Sequence, residues 1–240
     1  MRHKYLLITG IVLLSACKKD QEEAPLEVSG EYQTGTTLHA APIELYTRAG
    51  LVNNAQVVDA FIQRNSIRTP YFFSRTDVPL GGTTPSRLSI NASGQAKLIA
   101  PGQPGADTLR AQVISQQPDR LVLAGPDSTS RIVSLPLNRC DFLEEKVQLV
   151  VPAKRTRDFS SSTGYGRSTR YLPIKVIGIR NRQLYIPFLS WAVKHTGTQT
   201  GTCMTAAFGS WNFFDPAILS QLTTGDTIVV QRREISLHKQ

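Results

Sequence analysis

The sequence predicts a mainly β protein, an antiparallel meander forming a barrel or sandwich, with one or two short helices. Three observations carry this prediction. Apolar residues recur with period two, turn residues punctuate the chain about every ten positions, and helical periodicity is confined to two short windows. Within 240 residues, 40% of them hydrophobic, there is length enough for a substantial core beyond any leader segment.

Residues 1–16 open with Arg2 and Lys4, continue as an apolar run from Tyr5 to Leu14 broken by Thr9 and Gly10, and end on Ser15-Ala16. A charged start, an apolar stretch too short to span a bilayer and a small-residue ending read as a signal peptide. Lys18-Lys19-Asp20-Gln21-Glu22-Glu23 follows Cys17 and reads as a solvated tether through residue 27. The expected folded part is one β-rich domain over 28–240, with a candidate subdivision near 155–166.

Asn53 or Asn54 can cap a helix over Asn54 to Asn65, whose Val57, Val58, Phe61 and Ile62 repeat at helical spacing. Leu88 and Ile90 precede an Ala92-Ser93-Gly94 turn, and Ala96, Leu98 and Ala100 follow it, so a hairpin is expected with Gly94 at positive φ. Leu109, Ala111 and Val113, then Leu121 and Leu123, then Ile132 continue the meander. Turns at Gln117-Pro118-Asp119 and Gly125-Pro126-Asp127 separate them. Asp141, Glu144 and Glu145 read as a solvated turn leading to a strand of Val147, Leu149 and Val151, in preference to a glycosidase pair. "RTRDFSSSTGYG", Arg155 to Gly166, lacks periodicity and reads as a long loop.

Leu172, Ile174 and Val176, a turn near Asn181, and Leu184 with Ile186 resume the strands. Asp215-Pro216 starts a second helix of about two turns, with an acidic cap and proline at its first position. The last strand, Thr227 to Leu237, changes parity between Val230 and Ile235, which predicts a β-bulge between Gln231 and Glu234.

Chemical motifs are sparse. The chain has no CxxC, HExxH, P-loop, GxSxG or strand-bound GxGxxG, and His39, His195 and His238 lack ligand spacing, so neither cofactor nor metal is expected. Cys203 with His195 as its base matches no nucleophile signature, and no catalytic residue is assigned. An oxidising compartment makes Cys140 and Cys203 a candidate disulfide, the alternative being two separate buried thiols. From Lys146 to Lys194 ten basic residues face only Asp158. Arg167, Arg170, Arg180 and Arg182 are the candidate anion-binding face of that segment, against a solvated surface. Tyr165, Tyr171, Tyr185, Trp191 and Trp211 interleave with it, as a glycan platform or as core.

Leu14-Ser15-Ala16-Cys17 resembles the bacterial lipobox, in which the signal is removed before a cysteine that is then acylated. With the Lys18–Glu23 tether it is similar to surface and outer-membrane lipoproteins of the Bacteroidetes group. That resemblance implies lipidation at Cys17, an acyl anchor as the membrane attachment, and an outer-membrane, surface-exposed location. Without Arg2 and Lys4, the chain keeps 25 basic against 18 acidic residues, a net +7. Outside the cell that charge points to acidic glycolipid, acidic polysaccharide or an envelope protein as partner, and not to nucleic acid. Asp127-Ser128-Thr129 resembles the sites at which bacteria of this group attach O-glycans, making Ser128 a candidate glycosylation site. Gly30-Glu31-Tyr32, with the meander "VISQQPDRLVLAGPDS", resembles lipocalin-like domains of small bacterial lipoproteins, although Tyr32 stands where that pattern has Trp. The expectation is a lipid-anchored, non-catalytic binding or accessory module for an envelope glycan, glycolipid or small apolar ligand. The alternative is an extracytoplasmic hydrolase.

Overall fold

The computed structural model describes residues 26–67, 72–80, 86–99, 109–135, 138–148, 155–161, 164–172, 174–197 and 201–240. Cys17, the tether up to residue 25, and Leu149 and Val151 lie outside them. Along the chain, β1 (Gly30–Thr34) leads to β2 (Thr37–Thr47), β3 (Gly50–Val52), α1 (Ala55–Arg64) and β4 (Val78–Pro79). A meander follows, of β5 (Arg87–Ile90), β6 (Gln95–Ile99), β7 (Leu109–Gln117) and β8 (Arg120–Ala124). Then come β9 (Thr129–Leu135), α2 (Arg139–Val147), β10 (Arg155–Ser161) and β11 (Gly164–Tyr171). The last third holds β12 (Ile174–Arg180), β13 (Gln183–Gly197), β14 (Gly201–Ser210), a 3-10 helix (Pro216–Gln221) and β15 (Asp226–Lys239).

Strands β1, β5, β6, β7, β8, β12, β13 and β15 pair antiparallel in that order, and β15 pairs back onto β1, so the ring closes. Each ring strand is followed around the barrel by the next ring strand in the chain, which is the predicted meander. Asn91 organises the β5–β6 turn by accepting from the Ser93 and Gln95 amides, and Gly94 sits at φ +78 as expected. Tyr32, Leu88, Ile90, Leu121, Leu123, Ile177, Leu184, Ile186 and Leu237 are buried together inside. An eight-stranded ring is just wide enough to be filled by side chains, and these fill it. Trp211 joins them from the chain after β14. It takes φ +69, a strained value for a bulky residue, and is pinned by its N–H to Pro187 O (2.6 Å) and by Val176 N–H to its carbonyl (3.0 Å).

Strands β13 and β15 are too long for the barrel, at 15 and 14 residues, and their far halves leave it to form a second sheet, β14-β13-β15-β2-β3. Both faces of that sheet are covered. Trp191, Val193, Ile228 and Val230 pack beneath α2 and the 3-10 helix through Cys140, Leu143, Val147 and Ile218. Ala192, Val229 and Leu45 pack on the other face against Val58 and Ile62 of α1. The parity change in β15 therefore has a different cause from the expected bulge. The strand is buried on both faces in the sheet and only on its inner face in the barrel, and it pairs with β13 without a register shift. The bulge lies opposite, in β2, where Ala41 and Pro42 face Arg232 alone, a position at which proline's missing N–H is tolerated.

Other expectations are corrected in the same way. Helix α1 is capped by Asn54 as read, but Val57 is exposed, and Val58 and Ile62 make the buried face with Phe61 partly buried beside them. The second expected helix is present as a 3-10 helix capped by Asp215. Asp141, Glu144, Glu145 and Val147 belong to α2, whose first turn is closed by a capping box between Asn138 and Asp141. The segment expected as a loop is the β10–β11 hairpin of a separate sheet, β10-β11-β9. Its pairing rests on polar and ring contacts that leave no apolar alternation: Asp158 opposite Arg167, and the Phe159 ring over Gly166. Ile132 on β9 is exposed.

Candidate functional site

Where the barrel meets the second sheet, a groove of about 560 Å³ opens between the β7–β8 turn, β12, β13, β15 and the chain after β14. The turn at Asn181 and Arg182, both at positive φ, folds β13 back on β12 as a two-residue hairpin and sets Tyr185 across from Gly178. A Cβ at residue 178 would collide with the Tyr185 ring, so glycine there lets the ring lie flat along the strand. Arg180 ends β12 beside it. Its guanidinium lies 5.0 Å from the Tyr185 ring centroid and binds the Glu234 carboxylate from β15. Phe213, delivered by the pinned backbone of Trp211, meets Tyr185 edge to face at 6.4 Å.

Arg232 extends the groove. Its Nη2 donates to Glu44 Oε2 at 2.6 Å, and its guanidinium is 5.8 Å from the Phe214 ring centroid. Arg233 points to the opposite face of β15, is buried, and donates from Nη2 to Ser190 Oγ at 2.7 Å. Burial pushes its guanidinium down from the usual range, and it stays charged at neutral pH. Burial foremost, then Glu234, raises the Tyr185 phenol against the opposing pull of Arg180, so it remains a protonated donor. The lining carries Arg120, Arg180, Arg232 and Arg233 against Asp119 and Glu234, a local excess of two positive charges. Ring faces beside half-exposed guanidinium groups can stack on a sugar ring and hold a carboxylate through paired N–H donors.

The four arginines singled out from sequence do not form one face. Arg167 and Arg170 stand on β11 of the separate three-stranded sheet, at positions of opposite parity, and Arg167 is engaged by Asp158 at 2.7 Å. Arg182 sits in the hairpin turn and Arg180 alone lines the groove. Trp191 and Trp211 are core residues, whereas Tyr185 is a groove residue and Tyr165 is exposed on β11. Ser128 lies half-buried between the bend at Pro126-Asp127 and β9. Cys140 and Cys203 are bridged, with Cα atoms 6.0 Å apart.

Sequence reading missed Phe213, Phe214, Arg232 and Arg233. Their available signal was the adjacent pair Arg232-Arg233 shortly after the apolar run Ile228-Val229-Val230, together with two phenylalanines just before a helix cap. It also missed a buried polar cluster behind the disulfide. Asp226 Oδ1 meets His195 Nδ1 at 2.8 Å, and Arg139 Nη2 donates to Asp226 Oδ2 at 2.6 Å. His195 lies opposite Cys203 on β14, but that sulfur is bridged to Cys140, so a nucleophile role is closed to it. Among the described residues, no group of three or more His, Cys, Asp or Glu side chains is placed to hold a metal ion. Among them, too, no helix is long and apolar enough to cross a membrane.

Fold and groove together define a side-chain-filled β-barrel that shares two strands with a helix-covered sheet and carries an arginine-rich aromatic groove on its outside. No family model, no curated protein and no solved structure matches the chain.

Proposed function

We propose that the protein is a lipid-anchored, non-catalytic binding module of the bacterial outer surface that takes an acidic saccharide, free or as a glycolipid headgroup, in this groove. The observation that carries the reading is the juxtaposition of Tyr185 and Phe213 with Arg180 and Arg232 at one open surface, Phe214 lying buried beneath Arg232. Aromatic rings contribute stacking area and the guanidinium groups contribute charge selectivity, a combination suited to a carboxylated sugar. The lipobox-like Leu14-Ser15-Ala16-Cys17 supports anchoring, and the lysine-plus-acidic tether supports display at the surface. The lipocalin-like resemblance is kept at the level of Gly30-Glu31-Tyr32 and the meander, with the ligand moved from the barrel interior to its rim.

The test is calorimetry with a hexuronate oligosaccharide against an uncharged hexose oligomer of the same length. The uronate should bind preferentially, weaken as salt screens the guanidinium charge, and lose at least about tenfold in affinity in Phe213→Ala and in Arg180→Gln. Equal affinity for the two sugars would remove the charge argument, and release of reducing ends from the probe would establish the hydrolase in its place. For anchoring, labelled fatty acid should enter the wild type and not Cys17→Ala.

A further inference from the structure

We infer that the open edge of β14 is an interface with a second copy of this chain, paired antiparallel about a two-fold axis at Ala206. Strand β14 pairs with β13 along one edge through ten registered positions, Phe188–Ser210 to Gly197–Gly201. Its other edge joins no strand among the described residues, and no backbone hydrogen bond from that edge is made to a turn or loop there. Sheet edges of this kind are normally blunted by shortness, charge or proline. The other edges follow that rule: β3 is three residues long, β4 is two residues with Pro79, and the three-stranded sheet has charge on both edges, Arg155, Arg157 and Asp158 on β10 and Arg131 on β9. β14 does not. Its ten residues, Gly201-Thr-Cys-Met-Thr-Ala-Ala-Phe-Gly-Ser210, contain neither charge nor proline.

Side-chain pattern selects the occupant. Met204 and Phe208 are exposed, at 37% and 50%, and lie on the same face of β14, on either side of Ala206. The Phe208 ring is held in place by stacking on Phe188 at 6.5 Å and by the Arg233 guanidinium at 5.5 Å. A two-fold axis through Ala206 puts Met204 opposite Phe208 of the second copy, and Phe208 opposite its Met204, a thioether–aromatic contact made twice. In the same register Thr202 meets Ser210, Thr205 meets Ala207, and no charge meets a like charge, although the whole chain is basic. The strand is thus complementary to itself. An isologous pair of this kind joins the two five-stranded sheets into one continuous sheet and removes both open edges.

Sedimentation equilibrium of the full chain should give the mass of two chains as concentration rises, and Met204→Lys, folded as judged by circular dichroism, should give the mass of one. Register is read by cysteine cross-linking above the background of a chain carrying only its own three cysteines. Ala206→Cys should cross-link, because residues at the axis are about 5 Å apart. Ser210→Cys should stay at background, because its two copies are about 27 Å apart along the strand. A chain monomeric at every concentration would leave the edge to some other strand donor and overturn the inference. So would a dimer that survives both Met204→Lys and Phe208→Lys, or cross-linking through Ser210→Cys equal to that through Ala206→Cys.

Discussion

Asp226 shows how much one buried carboxylate can organise. Its side chain is fully buried, and it accepts from Arg139 Nη2 at 2.6 Å, from the Thr223 amide at 2.7 Å and from Thr223 Oγ1 at 2.9 Å, with His195 Nδ1 at 2.8 Å on the other oxygen. Burial alone would raise its pKa, but the bonds from Arg139, Thr223 and His195 outweigh that and hold it at about 2, below the ordinary 3.8. A depressed folded-state pKa contributes stability that is fully present above the unfolded value and is lost as pH falls through the folded one. The window is therefore from about pH 4 down to about pH 2, and the loss is about 2 kcal/mol. Asp226→Asn should lower stability at neutral pH by about 3 kcal/mol, since it strands Arg139 without its anion, and should flatten the profile across that window. Urea midpoints measured against pH check both statements, and parallel profiles for variant and wild type would refute the second. None of this was legible in the sequence. Asp226-Thr227-Ile228 reads locally as an acidic turn before a strand, and of its partners only Thr223 is near, Arg139 and His195 standing 87 and 31 residues away.

Helix α2 explains why local patterns can conceal an element. Its buried residues Cys140, Leu143 and Val147 recur at helical spacing, and Asn138 with Asp141 is a capping box, so the signal was present. In the sequence Val147 also begins an alternation with Leu149 and Val151, and the acidic run Asp141, Glu144, Glu145 looks like a turn. By contrast α1 was read to within a residue of its cap, because Asn54 and its apolar stripe compete with nothing nearby. What keeps the nine-residue α2 in place is tethering more than propensity, since a helix this short is marginal alone. Arg139 ties it to β15 and the Cys140–Cys203 bridge ties it to β14. The two cysteines are 63 residues apart, a separation for which loop closure in the unfolded chain predicts about 4 kcal/mol of stabilisation. Cys140→Ala with Cys203→Ala should lower the unfolding free energy by that order, read from the urea midpoint together with a steeper slope, because the unlinked unfolded chain exposes more surface. An unshifted midpoint would mean that Arg139 and core packing suffice to hold α2.

At the scale of the molecule, β13 and β15 belong to the barrel and to the second sheet at once, and this sharing sets how the protein comes apart. The β5–β6, β7–β8 and β12–β13 pairings were legible because their turns carry their own residues, Gly94, Pro118-Asp119 and Asn181-Arg182. Closure was not, since β1 meets β15 across more than 200 positions, Thr34 against Leu237, and a local pattern holds no record of it. The two tryptophans report separately on the halves: Trp211 packs in the barrel core with Ile177 and Leu237, and Trp191 packs under α2 with Val193 and Ile228. If strand sharing couples the cores, a chain retaining only Trp211, with Trp191→Phe, must show the same unfolding midpoint by fluorescence as by its own circular dichroism. The complementary Trp211→Phe chain, reporting through Trp191, must likewise agree with its own circular dichroism curve. Ile177→Ala, a cavity in the barrel alone, should then cost about 3 kcal/mol and displace both fluorescence transitions equally. Coupling is expected because neither half can release β13 or β15 without exposing residues that the other half buries, Leu184 and Ile186 in the barrel and Leu189 and Val193 in the sheet. A Trp191 signal that persisted after the Trp211 transition was complete would show two units joined by long strands, and the barrel and the sheet would have to be treated as separately stable domains.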